Sequence, residues 1–267
     1  MGTLRAEEGV AFLRWALPRL GLRWEGFRNP RAQVLKRIAR RHRALGLPDL
    51  AAYRGYLERH DEEWSELDAL CRVTITRFGR DRGVFEALRR AVLPELATRA
   101  RTIRCWSAGC ASGEEPYSLV LIDRFDPPGA PLEVFATDAD AALLARAERA
   151  RYPRGTLREL PEAWIEAAFT EVGGALALDR ELAGEVRFAQ HDLRRDPPPA
   201  GPFELVLCRN MAFTYFDARG QRDALDVFAA SIPIGGALVI GGHESLPDDP
   251  RFAPWARAIH RRVETPG

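Results

Sequence analysis

The sequence predicts an α/β protein: a doubly wound, mostly parallel sheet preceded by a small all-helical domain. Three observations carry this. From about residue 7 to 90 apolar residues recur at helical intervals with no convincing strand. From about residue 101 short apolar runs alternate with helical or loop segments, the pattern of a parallel sheet covered on both faces. At 267 residues the chain is long enough for one large domain with a smaller companion. The boundary is placed near residue 95, giving a helical domain over 1–95 and a ligand-binding domain over 96–267.

In the helical part, EEGVAFLRWALPRLG ends at Gly21, and PRAQVLKRIARRHRALG starts with Pro30 and stops at Gly46. DLAAYRGYLERH and EEWSELDALCRV continue the habit, and RRAVLPELATRAR joins the two parts. The predicted sheet strands are TIRCWSA, LEVFAT, VRFAQ, FELVLC and ALVIGG. GALALDRELAGEVRF, residues 174–188, lacks a clear helical period and is expected to hold a short inserted hairpin.

Composition excludes several classes. Apolar residues make up 46% and charged residues 29%, and a net charge of +1 offers no global field toward nucleic acid or an anionic membrane. Lys36 is the one lysine among 39 basic residues, so positive charge here is arginine. Cys71, Cys105, Cys110 and Cys208 form no CxxC pair, which favours reduced thiols and no metal site. No run reaches the roughly 18 apolar residues of a membrane span, and MGTLRAEEGVAFLRW lacks a signal peptide's apolar core, so a cytoplasmic protein is expected.

In an open parallel sheet, ligands bind at the carboxyl ends of the strands where strand order reverses. After TIRCWSA comes a glycine turn, Gly109-Cys110-Ala111-Ser112-Gly113, followed by Glu114 and Glu115. It lacks both GxGxxG and GK[ST], and carboxylates there suit a cation rather than a pyrophosphate. The competing reading is that both glutamates complement a helix dipole. After LEVFAT come Asp138 and Asp140, either ribose acceptors or helix N-caps. After VRFAQ comes His191-Asp192-Leu193, and after FELVLC come Arg209-Asn210, polar groups that need partners behind an apolar run. A glycine turn with acids, a ribose-type acid and no phosphate site together describe a nucleoside with a positive tail, S-adenosylmethionine.

WSAGCASGEEPYS, FATDAD, the HDL corner, GPFELVLCRN with YFD soon after, and GGALVIGGHESL fall in one order and spacing. With VLKRIARRHRALGLPDLAAY and TITRFGRDRGVFEAL, they make nearly the whole chain resemble the CheR-type chemoreceptor glutamate methyltransferases, which use S-adenosylmethionine. The resemblance implies a class I methyltransferase, Rossmann-like fold and methyl transfer to a glutamate carboxylate, yielding S-adenosylhomocysteine. It implies cofactor contacts at Thr74, Thr76, Arg80, Glu115, Asp138, Asp192, Leu193, Arg209 and Asn210, beside Gly109 of the glycine turn, where a ligand can lie against backbone. Arg80 and Tyr215 become the candidates for orienting the acceptor. Arg37, Arg40, Arg41 and Arg43 become candidates for docking an acidic helical protein substrate, such as a chemoreceptor cytoplasmic region.

Three departures from the family pattern stand out. Four residues rather than three separate Asn210 from Tyr215, Thr74 replaces the usual Asn, and FGR replaces FFR at Gly79. Two other readings stay open at this point: methyl transfer to another protein or a small carboxylic acid, and a non-catalytic S-adenosylmethionine-binding module.

Overall fold

A computed structural model describes residues 2–265 of the chain. It divides into two compact units, one running to Thr74 and including Thr214–Gln221, the other comprising Ile75–Phe213 and Arg222 onward.

The first unit is helical, with α1 (Gly2–Ala16), α2 (Trp24–Phe27), α3 (Arg31–Ala44), α4 (Leu50–Leu57) and α5 (Glu63–Cys71). The punctuation seen in the sequence ends these helices. Beyond α1 a 3-10 turn closes at Gly21, whose φ of +67° is easy for a residue with no Cβ. After α3, the N–H groups of Gly46 and Leu47 turn back to the carbonyls of Arg43 and His42 at 3.0 and 2.9 Å, a glycine-terminated cap. Asp49 caps α4 by accepting from the Ala52 N–H at 2.8 Å. On α3, Val34, Ile38 and His42 recur four residues apart and are buried, which leaves Lys36, Arg40 and Arg43 on the exposed side.

The second unit holds a seven-stranded sheet in the order β6-β2-β1-β7-β8-β10-β9. Its strands are β1 (Ile103–Ala108), β2 (Leu132–Asp138), β6 (Val186–Gln190), β7 (Leu205–Leu207), β8 (Ala237–Val239), β9 (Phe252–Ala256) and β10 (Ile259–Arg262). The five strands read from the sequence are the parallel ones. β9 and β10 add an antiparallel edge that the apolar-run pattern had not marked. A second sheet, β3-β5-β4, combines Arg151–Tyr152, Ala175–Leu178 and Phe169–Val172. The inserted hairpin therefore lies earlier than 174–188: β4 and β5 flank Gly173-Gly174, both at positive φ, the pair a two-residue hairpin turn requires. Residues Arg180–Gly184 are a short helix, and Val186 already belongs to β6.

The unit's helices are α6 (Arg82–Ala87), α7 (Leu93–Ala97), α8 (Glu114–Phe125), α9 (Ala141–Arg149), α10 (Glu162–Ala168) and α11 (Arg180–Gly184); α12 (Ala212–Tyr215) and α13 (Ala218–Ser231) follow β7 in sequence, and their residues Thr214–Gln221 are counted with the first unit. One buried core joins Phe78, Val84, Leu88, Val92 and Leu96 to Ile103, Cys105, Leu205 and Leu207. The first unit therefore ends at Thr74 rather than near 95, because apolar residues between 78 and 96 are buried in the same core as the sheet.

Candidate functional site

β1 is hydrogen-bonded on one side to β2 and on the other to β7, so strand order reverses between β1 and β7. The ligand crevice of such a sheet lies outside the carboxyl ends of these strands. Gly109 sits there, immediately beyond β1, and Asn210 three residues beyond β7.

The turn after β1 is built by the end of β2. The N–H groups of Gly109 and Cys110 both donate to the Thr137 carbonyl, at 2.8 and 2.9 Å. The Ala111 N–H donates to Asp138 Oδ2 at 2.8 Å. Gly109, Ala111 and Gly113 all take positive φ, at 80°, 49° and 91°. A Cβ on Gly109 would lie 2.9 Å from Met211 Cε, so both backbone conformation and space favour glycine. Asp138 Oδ1 accepts from the Asp140 N–H at 2.9 Å. Asp140 itself caps α9, accepting from Ala142 and Leu143, which resolves the two acids: Asp140 is the cap and Asp138 the strand-end acceptor.

The paired glutamates also separate. Glu115 is held on both oxygens: Ser107 Oγ donates to Oε1 at 2.7 Å, and Arg209 Nη1 donates to Oε2 at 3.0 Å. Glu114 opens α8, at the helix start, and is buried there, accepting from Ser112 Oγ at 2.9 Å. Burial pushes its carboxyl above the ordinary 4.5, against the pull of its own N–H and of Ser112.

Arg209 forms the centre of the crevice wall. Its side chain is 2% exposed, with Nη1 on Glu115 and Nη2 on Asp81 Oδ2 at 2.9 Å. Nη2 also donates to the Arg80 carbonyl, and the guanidinium lies 5.0 Å from the centre of the Phe85 ring. Asp81 additionally accepts from the Gly242 N–H at 3.1 Å and from the Asn210 side chain. Burial alone would raise the Asp81 carboxyl, but the Gly242 N–H, Arg209, Arg80 and Asn210 outweigh it and hold it below the ordinary carboxylate value. The Asn210 N–H donates to Glu244 Oε2 at 2.7 Å, which the Gly241 N–H shares at 2.6 Å.

The family model of the CheR methyltransferase, SAM binding domain, matches residues 74–258, and that of the CheR methyltransferase, all-alpha domain, matches residues 29–69. The chain belongs to the CheR methyltransferase family. A chemotaxis protein methyltransferase of Listeria monocytogenes is 37% identical over 182 residues, covering 68% of this chain and 69% of its own. The Escherichia coli protein of the same name is 32% identical over 231 residues, covering 82% and 78%. A TehB-like SAM-dependent methyltransferase structure from Corynebacterium glutamicum shares 18% identity, covering 70% of this chain and 72% of its own, with a TM-score of 0.35.

Against the CheR pattern, the second unit brings Gly109, Glu115, Asp138, Arg209 and Asn210 together at the carboxyl edge of β1, β2 and β7. Asp192 and Leu193 follow β6 at the same edge. Asp192 Oδ1 accepts from the Arg194 N–H at 3.0 Å, and its own N–H donates to Asp196 at 2.7 Å, so this corner is a closed turn. His191 Nε2 lies 3.0 Å from the Pro197 carbonyl, a turn contact. Thr76 and Arg80 lie on the segment before α6, and Arg80 Nη1 donates to the Ile75 carbonyl. Gly79, where the family carries an aromatic residue, takes φ +58° and donates its N–H to Ser118 Oγ at 3.0 Å.

Thr74, Tyr215 and the arginines of α3 belong to the first unit. Tyr215 ends the one-turn helix α12; its ring meets Phe27 edge-on at 5.2 Å and its carbonyl accepts from the Arg23 N–H at 2.9 Å. The four α3 arginines do not share one face. Arg37 donates to the carbonyls of Leu70 and Arg72. Arg41 holds Glu63 through both oxygens, at 2.9 and 2.6 Å. Arg40 and Arg43 are exposed.

Sequence reasoning missed Asp81, Ser107 and Glu244. Asp81 stands inside TRFGRDR, where its charge was lost among arginines, and Ser107 looks like any small residue of a buried strand. Glu244 follows a glycine pair after β8, an acid at a strand end that the rule applied to β1 and β2 could have found.

S-adenosylmethionine fits these residues. Two separately held carboxylates, Glu115 and Asp138, stand at the glycine turn, which carries no phosphate-binding motif.

Proposed function

We propose that this chain transfers the methyl group of S-adenosylmethionine to glutamate side chains of a chemoreceptor-type protein, forming glutamyl methyl esters. The observation that supports it most directly is Glu115, held on two sides at the strand-order reversal beside the Gly109 turn, within a CheR methyltransferase SAM-binding domain. When bound, the cofactor supplies an electrophilic methyl on a sulfonium. Glu115 receives its cationic amino-acid end, Asp138 its ribose hydroxyls, and Arg80 its carboxylate. Thr74, Thr76, Asp192 and Leu193 complete the contacts, and Asn210 contributes from the end of β7.

Arg209 acts through others: with its guanidinium spent on Glu115, Asp81 and the Arg80 carbonyl, it fixes the two groups that meet the ligand. Glutamate ionises near pH 4.3, so the acceptor is already a nucleophilic anion and no general base is required. Catalysis is then positioning, with Tyr215 and Arg80 as the groups that orient the acceptor.

The substrate surface is an acidic helical segment that meets the exposed cations of α3, Arg40 and Arg43 beside Lys36. Arg37 and Arg41 support this face from below through their bonds within the first unit. Transfer of tritiated methyl to receptor cytoplasmic fragments tests the proposal. Base-labile label on glutamate supports it, and calorimetric cofactor binding without label on any acceptor overturns it in favour of a binding module.

A further inference from the structure

Asp81 belongs to none of the ligand-contact positions above, yet it is among the most connected side chains at the crevice. Its backbone is left-handed, at φ 61° and ψ 63°, a conformation uncommon outside glycine, asparagine and aspartate. Its carboxylate gathers three groups from two chain segments: the Arg209 guanidinium at 2.9 Å, the Asn210 side chain, and the Gly242 N–H at 3.1 Å. Arg209 and Asn210 follow β7, whereas Gly242 lies just beyond β8. Arg80 immediately precedes Asp81, and its carbonyl accepts from the same Arg209 Nη2 that reaches the Asp81 carboxylate. The segment carrying Arg80 is thus tied to the strand ends by a side chain on one residue and a carbonyl on the one before it.

We propose that Asp81 is the positioning residue for methyl transfer: its carboxylate, clamped by Arg209, Asn210 and the Gly242 N–H, sets where Arg80 stands relative to the ends of β7 and β8. A neutral or shortened side chain leaves the left-handed backbone intact but weakens or removes one of the two ties, leaving the Arg80 carbonyl bond to Arg209. Arg80 then samples positions away from the reacting groups, and displacement of about 1 Å can cost a hundredfold in turnover. This rests on the methyltransferase reading above.

The test uses the whole chain with receptor cytoplasmic fragments and S-adenosylmethionine. Asp81→Asn tolerates positive φ and keeps an acceptor oxygen but loses the charge; Asp81→Gly keeps the backbone freedom and loses the side chain. Both variants are expected to melt as cooperative folded proteins. Their kcat should fall by about ten- to a hundredfold, with the receptor KM within about twofold of wild type. A purely structural role predicts lowered thermal stability with kcat preserved in the surviving folded fraction. Normal kcat in either folded variant overturns the proposal, as does a loss confined to KM. If Asp81→Asn fails to fold, Asp81→Gly alone decides. Absence of label with the wild-type protein sinks the methyltransferase reading and this proposal with it, whereas equal labelling by wild type and variants sinks this proposal alone.

Discussion

Arg209 donates Nη1 to Oε2 of Glu115 across 3.0 Å, from a side chain that is 2% exposed to one that is 12% exposed. A charge so enclosed is tolerated because it has two carboxylates, Glu115 and Asp81, and an aromatic face on Phe85. Its Nε has no hydrogen-bond partner, so Nη1 and Nη2 carry the polar bonding of the group.

Removing this cation should be costly. Arg209→Ala removes the cation that Glu115 and Asp81 share, and breaking a buried pair costs about 3 kcal/mol or more. Urea unfolding should show the loss as a lowered midpoint. Arg209→Lys keeps the charge but not the fork that serves two carboxylates at once, so it should retain part of the stability while weakening cofactor binding. Unchanged calorimetric affinity in the lysine variant would count against Glu115 as a ligand contact.

Glu115→Gln tests the contact itself. The amide oxygen still accepts from Ser107 or Arg209, so the fold should hold. The lost charge should weaken cofactor binding by about tenfold, the scale of one charge-assisted hydrogen bond. Titration calorimetry reads it, and an affinity within twofold of wild type contradicts the assignment.

The α3 arginines should divide by their contacts. Reversing Arg40 and Arg43 to Glu should raise the receptor KM and reduce its salt sensitivity while leaving cofactor affinity unchanged. Arg41→Glu should behave differently, because it places a like charge against Glu63, whose side chain is 3% exposed. That variant should lose thermal stability first. Equal effects of the two kinds of reversal on KM would refute the division.

Two buried glutamates give opposite pH signatures. Arg41 first, then the Tyr53 hydroxyl, hold Glu63 below its ordinary 4.5 against the effect of burial. Its stabilisation is therefore complete above that value and is lost as pH falls through the lower folded value. Burial raises Glu114, so its contribution is complete below 4.5 and is lost as pH rises through the higher folded value. Glu114→Gln mimics the protonated form and should gain on wild type as pH rises from 4 toward 8, read as the difference between their melting temperatures. A constant difference across that range would show that Glu114 ionises freely.

The sequence by itself determined the order of elements and the strand ends that carry chemistry. Both are written locally: helices stop at Gly21 and Gly46 because only glycine turns cheaply at positive φ, and the parallel strands are apolar because both their faces are covered. The glycine turn, Glu115, Asp138, and Arg209 with Asn210 could be read because each follows an apolar run directly. Tertiary structure decided what each polar group is for. Glu114 and Glu115 are adjacent in sequence, yet successive helical positions differ by about 100°. One turns into the interior toward Ser112 and the other meets Ser107 and Arg209. Asp140 is a cap and Asp138 a turn-holder for the same kind of reason. The second sheet, the antiparallel edge of β9 and β10, and the role of Asp81 depend on partners distant in the chain. Arg209 is 128 residues from Asp81, and pairings at that separation leave no periodic trace in either segment, so only the folded chain specifies them.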